Sequence, residues 1–182
     1  MVALTTPEVD IGWKAVDFDL LSVDGKSYNL ERSMGEKGLV IAFICNHCPY
    51  VKSIAIKLAK EAQELKKIGV GFVGINSNDY ISYPEDSYDN MKLFAKENNF
   101  EFPYLFDKTQ DVAKKYDAVC TPDFFGFNSN LELQYRGRLD SAKKDIIPNA
   151  TRELYIAMSE VAKTGKLTGE QISSIGCSIK WK

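Results

Sequence analysis

The sequence predicts an α/β layer sandwich, and three observations carry that reading. Leu39-Val40-Ile41-Ala42-Phe43-Ile44 is a near-continuous apolar run, as expected of a central strand covered on both faces. Pro49 to about Ile68 places Ile54, Leu58, Ala62 and Leu65 at helical spacing. Val70-Gly71-Phe72-Val73-Gly74-Ile75 follows as a second apolar strand. Parallel strands joined by a helix pack into such layers.

The remaining elements fit around this unit. Phe18 to Val23 and Lys26 to Leu30 flank Asp24-Gly25, a hairpin turn signal. Gly38 leads into the first apolar strand. Lys57, Lys60, Glu61, Glu64 and Lys67 fill the outer face of the long helix as solvated charge, and Gly69 stops it. Glycines in the second strand mark close backbone approach. Asn76 to Ser87 is polar, contains Pro84 and reads as a loop. Tyr88 to Asn98 reads as a helix, with Met91, Phe94 and Ala95 on one side. Tyr104 to Phe106 is a short strand, and Thr109 to Tyr116 a short helix capped by Thr109. Phe124 to Phe127 and Leu131 to Arg136 form a hairpin around Asn128-Ser129-Asn130. A last helix runs from about Asn149 to Lys163. From Thr164 the chain is a tail whose Ile179 and Trp181 are expected to pack on the body.

Bulk composition narrows the function. The 182 residues suit one domain, residues 1–182, with a sizeable core. A net charge of −2 gives no reason to expect nucleic acid or an anionic membrane as partner. No stretch approaches the ~18 apolar residues of a membrane span. Met1 to Asp10 lacks a basic start and an apolar core, so no secretory signal is expected and a cytoplasmic location follows. Four cysteines are too few for a disulfide scaffold.

Two of those cysteines and the only histidine lie within Cys45-Asn46-His47-Cys48, between the first strand and the long helix. A cysteine where a buried strand turns into a helix faces the positive end of that helix. The field favours thiolate, which is the nucleophile. Two registers compete. A plain Cys-x-x-Cys reading makes Cys45 the nucleophile and Cys48 its resolving partner. Helix chemistry points the other way, because proline is favoured at the first helical position. Pro49 there makes Cys48 the N-cap, with its sulfur before the free N–H groups of the first turn. Cys48 is then the nucleophile and Cys45 the leading resolving candidate. His47 lies beside either sulfur and, if protonated, stabilises a thiolate further. Zinc is a weaker reading: a second paired Cys-x-x-Cys is missing, and adjacent His47 and Cys48 suit a tetrahedral site poorly. No metal and no cofactor are expected.

The pattern resembles the thioredoxin fold in its redoxin branch, the AhpC/TSA peroxiredoxin-like family. The resemblance rests on Gly12-Trp13-Lys14-Ala15-Val16-Asp17-Phe18, on Asp24-Gly25-Lys26, on Cys-Asn-His-Cys-Pro-Tyr-Val-Lys from Cys45, and on Val119-Cys120-Thr121-Pro122-Asp123-Phe124-Phe125. Gly176-Cys177-Ser178-Ile179-Lys180-Trp181-Lys182 is similar to the tail of a peroxiredoxin-like subgroup. The resemblance implies a thioredoxin-like three-layer α/β/α sandwich with an N-terminal β-hairpin and a C-terminal tail. It implies a cis Pro122 against the active-site cysteine, with Thr121 and Pro122 binding substrate backbone. It also matches Cys48-Pro49 to the family's attacking cysteine and its following proline. Cys45 then stands where peroxidases keep a hydroxyl that orients peroxide. Cys177 could resolve Cys48 from a mobile tail or serve structure alone. Cys120 could support the active-site thiol or simply pack.

Three functions compete on these residues. The first is thiol–disulfide exchange, with Cys48 attacking a disulfide of a client protein. The second is reduction of a hydroperoxide through a sulfenic acid. The peroxidase arginine has no match at Thr121-Pro122, and Arg136 or Arg138 would have to substitute. Either activity needs a thiol electron donor such as a thioredoxin or glutathione system. The third is a non-enzymatic redox-sensing module.

Overall fold

The computed structural model describes residues 3–7, 10–142, 145, 147 and 149–182. Residues 1, 2, 8 and 9, part of the segment read for a secretory signal, lie outside the described residues. The strands are β1 (Ala3–Thr5), β2 (Leu20–Ser22), β3 (Ser27–Tyr28), β4 (Gly38–Phe43), β5 (Val70–Asn76), β6 (Tyr104–Phe106), β7 (Cys120–Thr121), β8 (Asp123–Asn128), β9 (Leu133–Gly137) and β10 (Ile175–Ser178). The helices are α1 (Leu30–Ser33), α2 (Pro49–Lys67), α3 (Tyr88–Glu97), α4 (Asp111–Lys115) and α5 (Glu153–Thr164), with a 3-10 turn at Pro84–Asp86.

One half of the central sheet runs β3-β2-β6-β5 and the other β4-β8-β9. The halves meet where Ile44 N–H donates to Ile75 O at 2.9 Å. β5 and β6 are parallel, whereas β4, β8 and β9 pair antiparallel. All six residues of β4 are buried, as its unbroken apolar run requires. Alternate side chains point to opposite faces. Val40, Ala42 and Ile44 pack with α2 and α5, whereas Leu39, Ile41 and Phe43 pack with Val112, Ala113 and Tyr116. Helices thus cover both faces of a mixed sheet.

α2 begins at Pro49 and buries Ile54, Leu58, Ala62 and Leu65. Its outer face is less solvated than expected: Glu61 is buried and pairs with Arg152, and Lys57 reaches Asp140 at 2.9 Å. Gly71 is indispensable as a glycine, because a Cβ there would lie 2.1 Å from Ser33 O.

Three boundaries differ from expectation. α4 is capped by Gln110, at φ 69°, rather than by Thr109. The Gln110 amide donates to Ser77 O and Lys180 O, which draws it into the cap position. α5 starts at Glu153, four residues late, because Thr151 N–H is taken by Ser141 Oγ and the Arg152 side chain by Glu61. The four-residue α1 carries too little periodicity to read; its N-cap Asn29 accepts from Arg32 N–H.

The carboxy-terminal tail contains a strand. β10 pairs antiparallel with β1 on one side and with β7 on the other, Cys177 opposite Thr121 and Ser178 opposite Cys120. Ile179 is buried as expected, but Trp181 is 44% exposed.

Candidate active site

Cys48 is the N-cap of α2, with φ −68° and ψ 125°, and Pro49 opens the helix. The proline has no N–H to lose at this position. Cys45 lies in the turn leaving β4. Both cysteines are fully buried. Thr121, at the end of β7, faces both. Its hydroxyl lies 3.2 Å from Cys45 Sγ, and its carbonyl oxygen 3.2 Å from Cys48 Sγ. The Thr121–Pro122 peptide bond is cis.

β10 brings the third sulfur. Cys177 Sγ lies 2.8 Å from Cys48 Sγ, and no disulfide joins them. The sulfurs need move by less than ~1 Å to reach disulfide bonding distance. Cys120 points elsewhere, its sulfur 3.7 Å from Pro122 O. Burial and the nearby Asp123 carboxylate push its thiol well up.

The three sulfurs at the site differ in acidity. Cys48 is lowered from 9.0 to about 5. The Cys45 thiol is the strongest influence, donating to the Cys48 sulfur against the opposing cost of burial. The Cys177 thiol and the N–H groups of Val51 and Cys177 add to it. Cys177 is raised to about 12, first by burial and then by the Cys48 sulfur. Cys45 is pushed well up for the same two reasons, while Thr121 acts to lower it. The result is a sulfur of lowered pKa lying between two whose pKa values are raised, with the Thr121 hydroxyl beside Cys45.

His47 is fixed from a residue that sequence reasoning missed. Its Nδ1 lies 2.5 Å from Asp86 Oδ2, and its ring stacks on Tyr83 at 5.2 Å. Asp86 is fully buried. Burial acts to raise its carboxyl pKa, but hydrogen bonds from His47, Asn78 and Asn46 N–H outweigh that and hold it below the ordinary value. The hydrogen bond to Asp86 in turn raises His47, against desolvation. His47 Nε2 is buried and has no hydrogen-bond partner among the described residues. Asp86 sits in the polar segment read as a loop; nothing in its local sequence marks it. The signal would have been the cluster Asn76-Ser77-Asn78-Asp79, all of it buried.

Cys45, His47 and Asp86 ligand atoms lie within 4.8 Å of one another, a set that could hold a metal ion. His47 and Asp86 already satisfy each other there, and the same carboxylate accepts from Asn46 N–H at 2.7 Å and Asn78 Nδ2 at 2.8 Å. The arginines considered for peroxide chemistry are also committed. Arg136 pairs with Asp123 at 2.9 Å, and Arg138 with Glu153 at 2.5 Å.

A central mixed sheet between helices, with a cysteine capping the first long helix beside a cis proline, defines a redoxin of the thioredoxin fold. The family model described as AhpC/TSA family matches residues 11–139, and the chain belongs to that family. The crystal structure of an uncharacterized conserved protein from Geobacillus kaustophilus is 44% identical. It covers 100% of this chain and 97% of that one, with a TM-score of 0.94. A hypothetical protein from Sinorhizobium meliloti 1021 is 38% identical over 98% of each chain, at a TM-score of 0.91. A peroxidoxin from Mycobacterium tuberculosis is 18% identical over 85% of this chain and 94% of that one. Its TM-score of 0.59 shows the shared fold alone. No curated protein matches the sequence. No helix among the described residues is long and apolar enough to cross a membrane.

Proposed function

We propose that this chain is a thiol–disulfide oxidoreductase in which Cys48 attacks and Cys177 resolves. The observation that carries the reading is the sulfur pair itself, Cys48 Sγ 2.8 Å from Cys177 Sγ, with the pKa of the first lowered and that of the second raised. Cys48 Sγ attacks one sulfur of a client disulfide. The client S–S bond breaks, a Cys48–client bond forms, and the departing thiolate takes a proton. His47 Nε2, without a hydrogen-bond partner among the described residues, is suited to supply it. Cys177 then loses its proton and attacks Cys48 Sγ, releasing the second client thiol. The client disulfide gains two electrons and the Cys48–Cys177 pair loses them. A thiol donor of the thioredoxin or glutathione type would return them.

In this reading Cys45 is the proton-bearing partner that holds Cys48 ionised, and Cys177 takes the resolving role. Cys48→Ser should abolish reduction of a protein disulfide. Cys177→Ser should accumulate mixed disulfides, seen as adducts by mass spectrometry. Trapping by Cys45→Ser instead would return the resolving role to Cys45.

Family membership favours peroxide reduction as the second reading. The commitment of Arg136 and Arg138 to other carboxylates weighs against it, since peroxide cleavage gains from donors aimed at the departing hydroxide. Hydrogen peroxide consumption no faster than that of a free thiol of matched pKa would eliminate it. A cytoplasmic location belongs to the same proposal and rests on cysteine usage.

A further inference from the structure

Cys48 carries the chemistry yet has no exposed surface. What covers it is the chain's own end. β7 carries the backbone beside Cys48, and a strand edge is a template for an extended peptide. That edge is filled by β10, antiparallel, with Cys177 directly opposite Thr121. The approach is close: a Cβ on Gly176 would lie 2.1 Å from Thr121 O. Ser174 Oγ donates to Pro122 O at 2.7 Å, and Ile179 N–H to Val119 O at 3.1 Å. β1 closes the outer side through Cys177, Gly176 and Ile175.

We infer that β10 is an internal client strand, occupying the main-chain edge of Thr121 on which an extended, cysteine-bearing polypeptide segment would pair, and holding Cys177 where that segment's sulfur would sit. An external client reaches Cys48 only when β10 lifts from this edge, and it then takes up the same antiparallel register. This rests on Cys48 being the attacking thiolate.

The wild-type chain gives the first test. Backbone hydrogen exchange of β10 and of Ile179 measures how often the strand opens, and iodoacetamide measures how often Cys48 is reachable. The slowing of alkylation, relative to a free thiolate, should match the exchange protection of β10. Alkylation at the unprotected rate overturns the inference, as does protection of Cys48 equal to that of β4 while β10 exchanges freely. The second test uses the full chain carrying Gly176→Val and Cys177→Ser, which pushes the strand away and removes its sulfur. Cys48 should alkylate at least about tenfold faster than in Cys177→Ser alone. A disulfide-linked dimer of a peptide spanning residues 173–180 is then offered. Cys48 attacks its S–S bond, one peptide leaves as thiol, and the other stays as a mixed disulfide. This should proceed at least about tenfold faster than with the same residues scrambled around the cysteine. Equal rates overturn the internal client and leave the thiolate intact. A Cys48 still inert to iodoacetamide after opening overturns the thiolate reading itself. If Gly176→Val does not fold, the wild-type comparison decides alone.

Discussion

At the scale of single residues the acidity of Cys48 is assembled from neighbours both near and distant in sequence. The helix terminus supplies a setting in which a thiolate is favoured. The largest contribution comes from Cys45, whose thiol is itself held protonated by burial. Iodoacetamide reactivity of Cys48 should therefore titrate with a midpoint near 5, the reactive form being present above it. Cys45→Ala removes the strongest donor and should move the midpoint up toward the ordinary ~8.5. A wild-type midpoint already there would show that no thiolate is held. His47 gives a second handle, because it is the only histidine and its imidazole yields one NMR titration. Its midpoint should lie above 6.5 in the wild type and fall in Asp86→Asn, which keeps the shape but removes the charge. Asp86→Ala goes further, leaving the His47, Asn46 and Asn78 donors without their acceptor. A loss of about 3 kcal/mol in denaturant unfolding is expected.

At the scale of elements, α2 was the most readable piece. Pro49 announces a first helical position, so Cys48 follows as N-cap from chain chemistry alone. The buried run of β4 and the glycines of β5 were equally plain. Gly71 in fact meets the Ser33 carbonyl at the end of α1. Gly71→Ala should cost about 1–3 kcal/mol by chemical denaturation, since backbone has to give way. A near-neutral change would mean that α1 shifts freely. Two features could not be read. Asp86 lies 39 residues from His47 in a stretch with no periodicity, so its function exists only once the fold closes. β10 is four residues long and includes Gly176; its strand character comes from pairing on both sides, not from its own propensity. The sulfur facing Cys48 was consequently visible as a candidate but was ranked behind Cys45.

At the scale of the whole molecule, the proposed Cys48–Cys177 pair would couple redox state to stability. The two residues are 129 positions apart in a chain of 182, so their disulfide would close a loop over most of it. A loop of that size restricts the unfolded state by about 5 kcal/mol in the chain-entropy account. In this proposal oxidation would also remove the Cys48 thiolate, and with it a stabilisation that only the reduced protein would have. The sign follows from proton binding. The folded Cys48 titrates near 5 and the unfolded thiol near its ordinary value, so between those limits the unfolded chain holds the extra proton. The stability of the reduced protein therefore rises with pH across this window and is lost as pH falls through about 5. The oxidised protein has no such thiol to titrate. The stability advantage of the oxidised over the reduced form should thus be largest near pH 5 and shrink steadily toward pH 8. Paired denaturant titrations of the two forms at both pH values measure it. A gap that does not change with pH would mean that Cys48 gains no thiolate stabilisation on folding. A narrowing gap would mean that the same interaction which readies Cys48 to attack also makes its disulfide the stronger oxidant, because the reduced, folded protein is the state it favours.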